Sequence, residues 1–319
     1  MESEAQTRPM RGRRALVVSV VAAALGYLAF SLWGGWHEVG AALTRVSLPL
    51  LALLLVLSLV NYGLRFVRWQ HYLKLFNHDV PVVQSLRIYL GGFALTTTPG
   101  KAGEALRSVL LEPHGVSYPH SLAALLAERL GDLLAILLLC AIGLTAYPQG
   151  MPVVLLSGLL LLAALLLIQR RSWLLAIEQW LLQRFSGRVA SLVSGLIETI
   201  VHSSRLFTLP LLSYSMVLGV VAWGAEGLAF YYLAQALGAE LSLTNALFIY
   251  AFSMLVGALS FLPGGLGGAE LTMITLLLLH GMPQGEAVAA TVIIRLATLW
   301  FAVLLGALAL LPGRRVRLQ

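Results

Sequence analysis

The run Phe261-Leu262-Pro263-Gly264-Gly265-Leu266-Gly267-Gly268-Ala269-Glu270 interrupts an apolar region that extends over residues 245–280. Proline and clustered glycine stop a helix and let the chain reverse. A second interruption, Pro99-Gly100, divides the apolar pieces 86–98 and 101–112. Three of the four arms, taken as 86–98, 101–112, 245–262 and 268–280, fall well short of the roughly 20 residues a helix needs to cross a bilayer. Each region therefore reads as a re-entrant hairpin that enters and leaves a membrane on the same side, with breaks at Pro99, Gly100, Pro263, Gly264 and Gly265.

The rest of the chain supplies the membrane context. Of 319 residues, 59% are hydrophobic and 11% charged, against about 25% charged in a soluble domain. There is too little polar surface to coat a water-soluble globule of this size. Full spans are expected at 15–33, 48–66, 121–146, 152–169, 210–236 and 287–311. The expected fold is an all-α polytopic membrane protein of about six full spans plus two re-entrant helical hairpins. It is one transmembrane domain, 15–311, between a cytoplasmic basic N-terminus, 1–14, and a cytoplasmic basic tail, 312–319. The stretch 15–33 exceeds a cleavable signal core and ends near Trp33 and Trp36, so it reads as a retained span. One cysteine, Cys140, excludes an intrachain disulfide.

Basic residues set the orientation. With both hairpins returning to their side of entry, 18 of the 21 Lys and Arg fall on the side of the N-terminus; Arg45 falls opposite, and Arg129 and Arg295 lie within spans. The positive-inside rule makes the rich side cytoplasmic. The net charge of +7 is thereby explained without nucleic acid. One weakness is 210–236, long and containing Glu226; two spans there would invert all that follows. Residues 172–205, with apolar positions at helical spacing, read as one or two amphipathic helices in the membrane interface or as a surface-packed linker.

The second half repeats the first. Residues 101–139 against 267–305 give 12 identities in 39 ungapped positions, six of them Leu. The informative matches are Glu104 with Glu270, His114-Gly115 with His280-Gly281, Ala123-Ala124 with Ala289-Ala290, and Arg129 with Arg295. Repeat one covers about 48–146 and repeat two about 210–311, and one begins outside, the other inside. Inverted repeats of this kind place substrate near the midplane, between broken helices.

Charges within spans are costly and need a reason. Glu104 and Glu270 follow the hairpin breaks, where a carboxylate complements the helix macrodipole. They either neutralise Arg129 and Arg295 or line a polar cavity with them. In the second case the arginines hold an anionic head group, since guanidinium binds phosphate in bidentate fashion. Glu128 and Asp132 add charge that the second repeat lacks, with a local salt bridge expected at one helical turn. Lys101 and Arg107 attract phosphate or anchor the chain at the surface. Arg65 is balanced between site and anchor, and Arg68-Trp69 reads as an interface anchor. His71, His78, His114 and His120 show no metal-ligand spacing. There is no nucleotide-binding or nucleophile motif, so no metal, cofactor or catalysis is expected.

Thr98-Pro99-Gly100-Lys101-Ala102-Gly103-Glu104, then Arg107 and Glu128-Arg129-Leu130-Gly131-Asp132, resemble the lysylphosphatidylglycerol synthase transmembrane region family. So do 261–270 with Gly281 and Arg295, and Arg65-x-x-Arg68-Trp69. The resemblance covers roughly 12–312. It implies a flippase-like domain; in the best-known members this moves an aminoacylated phospholipid, and a soluble synthase domain follows it. This chain ends at Gln319, so lipid synthesis is not expected. The expected function is a bacterial inner-membrane lipid translocase, its partners membrane lipids, driven downhill or coupled to protons or another ion, with oligomers left open. A carrier of small anions and a non-transporting subunit of a lipid-modifying enzyme are the alternatives.

Overall fold

The computed structural model describes residues 36–98, 102–144 and 147–311. The expected first span 15–33, both basic termini, Pro99, Gly100 and Lys101 lie outside the described residues. Within them the chain forms thirteen α-helices and no strand.

Three of the long helices open with the same local signal, a Ser or Thr two residues before a Pro. They are α2 (Leu48–Leu75) after Ser47, α5 (Tyr118–Gly143) after Ser117 and α9 (Leu209–Ala236) after Thr208. A hydroxyl cap and a proline in the first turn both favour a helix start; Ser47 and Ser117 accept from the backbone N–H of Leu50 and His120. Between them lie α3 (Val82–Gly91), continued by a 3₁₀ turn over Gly92–Leu95, and α4 (Ala102–Leu111). Then come α6 (Met151–Gln169), α7 (Arg171–Arg184) and α8 (Arg188–Ser204). After α9 follow α10 (Leu243–Leu259), a turn at Pro263–Gly265, and α11 (Gly268–Leu279). Finally α12 (Gln284–Arg295) runs through a π turn, Leu296–Trp300, into α13 (Phe301–Ala309). A short helix α1 (Trp36–Arg45) packs on α12.

The order long helix, two short helices, long helix thus occurs twice. Residues 209–236 are one continuous helix. Leu48–Leu75, Pro148–Gln169, Leu209–Ala236 and Gln284–Ala309 are long and apolar enough to cross a membrane. Helix α5 matches them in length and carries Glu128, Arg129 and Asp132 in its middle. Helix α6 turns Leu155, Leu156, Leu159, Leu160, Leu162 and Leu166 outward, an apolar surface that water would not tolerate and acyl chains would. The chain is an all-helical membrane protein.

Helices α2 and α9 form the most extensive helix pair. Tyr72 meets Ser215 at 2.6 Å and Arg65 lies over the Trp223 ring; numbering falls along one helix as it rises along the other, so the pair is antiparallel. The α3–α4 hairpin follows α2, and the α10–α11 hairpin follows α9. They therefore spring from opposite ends of the pair. Their tips meet: a Cβ placed on Gly264 would stand 3.3 Å from Thr97 Cγ2. Gly264 and Gly265 adopt φ of 63° and 68°, a conformation glycine takes without steric cost. The Pro-Gly-Gly run is thus a tight reversal.

Helix α8 packs on α5 and α6, and α7 packs on α8. This brings together three histidines that the sequence places far apart. His78 Nε2 lies 2.9 Å from His120 Nδ1, and the His120 and His202 rings meet at 4.4 Å. Glu198 lies 3.4 Å from His202, and Arg205 is also near. Burial holds the His78 imidazole below the usual histidine range. An unfolded chain then binds more protons than the folded one as pH falls through about 6.5, so acid lowers stability. Detergent-solubilised protein is expected to lose thermal stability between pH 7.5 and 5.5, with His78→Asn shallower than wild type. Identical pH profiles would refute this role for His78.

Candidate functional site

Near the meeting point of the hairpin tips is a cavity of about 240 Å³. Its walls come from α2, the turn at 92–96, α4, α5, α9, α10, the Pro263 turn, α12 and the π turn. Leu133, Ile136, Met254, Leu262 and Leu299 make part of the lining apolar. Arg65, Arg107, Arg129, Asp132, Glu226 and Arg295 make another part ionic.

One wall is built on Glu128, wholly buried on α5. Its Oε1 is 3.1 Å from Arg65 Nη2 and accepts from Tyr89 Oη at 2.9 Å; its Oε2 accepts from Arg107 Nη1 at 2.9 Å. One turn later, Asp132 lies 2.8 Å from Arg65 and 2.5 Å from Arg68. Such pairing is what makes buried charge tolerable. The Arg107 guanidinium also lies 4.1 Å from the Tyr89 ring centroid, with Trp69 and Phe93 at 5.3 and 5.4 Å, so an aromatic cage adds a cation–π contribution. A side chain on Gly92 would overlap Arg107, which accounts for glycine there. The Nε atoms of Arg65 and Arg107 have no hydrogen-bond acceptor among the described residues.

The other wall is the Pro263 turn. Arg295 donates from Nε to Glu270 at 2.6 Å and from Nη2 to the Gly264 carbonyl at 2.7 Å. Glu270 Oε2 in turn accepts from the Gly267 N–H at 2.7 Å, at the start of α11. One guanidinium and one carboxylate thereby fix the reversal. Between the walls, Tyr62 on α2 donates to the Thr298 carbonyl within the π turn. Such widened turns recur at functional sites.

Several sequence expectations change here. Arg68 and Trp69 are not surface anchors: both are wholly buried. Arg107 is likewise buried on Glu128, not spread at a surface. The physical reason for the first pair is that α2 runs to Leu75, so the face carrying Arg65, Arg68, Trp69 and Tyr72 is still inside the bundle. Asp132 takes its partners from Arg65 and Arg68 on α2, where a bridge within its own helix was expected. Arg129 and Arg295 line one cavity, as do Arg65 and Arg107. The Glu104 side chain and Lys101 lie outside the described residues. Glu226, read only as a complication of topology, lines the cavity with Tyr62, Trp223 and Tyr250. Its signal was present as a lone carboxylate in a 28-residue apolar helix.

An all-helical membrane bundle with two broken hairpins closing on a buried ionic cavity defines a class of polytopic membrane protein. This chain belongs to the family described as the lysylphosphatidylglycerol synthase TM region, which it matches over residues 15–306. It is 24% identical over 311 residues to a UPF0104 membrane protein of Pyrococcus horikoshii, covering 89% of this chain and 93% of that one. A UPF0104 membrane protein of Methanothermobacter thermautotrophicus is 25% identical over 303 residues, covering 88% of each chain. One of Methanocaldococcus jannaschii is 33% identical over 104 residues, covering 33% of this chain and 43% of that one.

Proposed function

We propose that this protein is a non-enzymatic lipid translocase that carries an anionic or modified phospholipid, or lipid-linked, head group between leaflets. The observation that supports it most is the composition of the cavity wall. Four arginines and two carboxylates face the same space as leucine, isoleucine and methionine. That mixture suits a phosphate-bearing head group with the start of its acyl chains, since guanidinium matches phosphate geometrically. In this reading the α3–α4 and α10–α11 hairpins are re-entrant and enter from opposite leaflets, as an inverted repeat. Their origin at opposite ends of the antiparallel α2–α9 pair favours that arrangement. We place both termini in the cytoplasm of a bacterial inner membrane, with α7 and α8 at the interface. Setting aside buried Arg65, Arg68 and Arg107, fifteen Lys and Arg still fall on the N-terminal side against Arg45 opposite.

One observation favours a non-transporting subunit instead: Glu270 and Gly264 already engage Arg295. Reconstitution separates the two. Purified protein in liposomes containing fluorescent phosphatidylglycerol is expected to expose inner-leaflet label to an external quencher. Arg129→Ala and Arg295→Ala are each expected to slow this at least tenfold. Equal rates in all three proteins would remove the arginines from the mechanism, and no movement of any anionic lipid would defeat the translocase reading.

A further inference from the structure

Four buried carboxylates surround the cavity among the described residues, and one differs in kind. Glu128, Asp132 and Glu270 each have a guanidinium nitrogen within 3.1 Å. Glu226, 4% exposed in the middle of α9, has none within 4.0 Å among the described residues. Its hydrogen bond comes from Tyr250 Oη, at 2.5 Å to Oε2. The ionisable groups sharing its cavity are Tyr62 and Arg65 on α2, Arg107 on α4, Arg129 and Asp132 on α5, Tyr250 on α10 and Arg295 on α12.

A carboxylate inside a membrane without an ion pair is expensive, and such residues mark proton or ion pathways. Two states relieve the cost. With the cavity empty, Arg65 and Arg295 share the space with Glu226 and favour its ionised form, against the cost of its burial. With an anion on those arginines, the carboxylate faces like charge, which disfavours its ionised form. The inexpensive form is then the neutral acid, whose O–H can donate to Tyr250 or to the anion.

We propose that Glu226 is the proton-coupling residue: it takes one proton from water when an anionic head group occupies the cavity and returns it to water when the cavity empties. The carboxylate becomes a carboxylic acid and back, with no other bond made or broken. Head-group movement is thereby tied to proton movement in the same direction. This rests on the cavity being the anion site of the proposed translocase.

The test reads protons, not transport. Dihexanoyl phosphatidylglycerol is added to the full-length protein in weakly buffered detergent containing a pH-indicator dye. Binding is followed separately by calorimetry. Wild type is expected to take up protons on binding, up to one per lipid bound. Its affinity should then strengthen by up to about tenfold for each unit of pH lowered, by reciprocal linkage. Glu226→Gln is expected to bind without uptake and to lose the pH dependence, while Glu226→Asp retains both. Binding without uptake in wild type, or uptake in Glu226→Gln equal to wild type, overturns the proposal. If Glu226→Gln does not fold, loss of uptake in the folded Glu226→Asp protein overturns it equally. A protein that binds no anionic lipid defeats the anion site itself, a separate and recognisable failure.

Discussion

Glu128→Ala is expected to destabilise the folded protein by about 3–5 kcal/mol, the usual cost of leaving a buried charge without its partner. Its carboxylate joins Arg65, Arg107 and Tyr89 from three other elements in one contact. Removing it affects the two arginines unequally. Arg65 keeps Asp132 at 2.8 Å, whereas Arg107 has no other ion pair among the described residues. Arg107 then remains in its aromatic cage as an uncompensated cation. The cage offsets only a small part of that, since a cation–π contact contributes about 0.5–2 kcal/mol. Arg107→Met combined with Glu128→Leu is therefore expected to be more stable than Glu128→Ala alone, because it removes both charges and keeps apolar volume. Equilibrium unfolding of the single and double variants in mixed micelles measures the coupling. A Glu128→Ala protein as stable as wild type would mean that these side chains do not share one buried network.

That network also shows which parts of this protein a linear reading reaches. Helix boundaries are written locally. The Ser-Leu-Pro and Ser-Tyr-Pro starts at 47 and 117, the αL glycines at 115 and 281 and the Pro263-Gly264-Gly265 reversal each act on their own few residues. Apolar runs accordingly placed α5, α6, α9 and both arms of the second hairpin within a few residues of where they lie. The fate of a charge is not local. Arg68 and Trp69 at the end of an apolar stretch look like a membrane-surface anchor, and they would be one if α2 ended at residue 66. The burial of Arg68 depends on Asp132 and the Glu128 carbonyl, about 60 residues further along the chain. Arg107 pairs with Glu128 only 21 residues on, but Glu128 has no counterpart in the second repeat to single it out. Glu270 with Arg295 was legible because both lie within one repeat, 25 residues apart, each matched by a like residue in the other. Glu226 has no such counterpart, and its significance appears only once Tyr250 and the arginines are set around it.

A disulfide between the hairpin tips is expected to abolish lipid movement. If the hairpins act as two gates around one cavity, the contact between Thr97 and Gly264 must open for a head group to pass. A side chain on Gly264 would already reach Thr97, and a disulfide needs Cβ atoms only about 3.5–4.5 Å apart. Because the Gly264 Cβ would stand 3.3 Å from Thr97 Cγ2, the two Cβ atoms lie at most one C–C bond further apart, and Thr97→Cys with Gly264→Cys places two thiols within reach of each other. Placing cysteine at a φ of 63° costs about 1–2 kcal/mol, which a bundle of this size can absorb. Cys140 is buried in the core and is replaced by Ala so that no third thiol competes. Oxidation should then protect both cysteines from maleimide labelling and reduce lipid movement in liposomes to the protein-free rate, and reductant should restore it. The single-cysteine proteins, oxidised in the same way, should retain movement, which separates the cross-link from the substitutions. A cross-linked protein that moves lipid as fast as its reduced form would show that the tips stay together during transport. The path for the head group would then have to lie elsewhere than through this contact, and the two-gate arrangement would have to be abandoned even if the arginine-lined cavity binds the lipid.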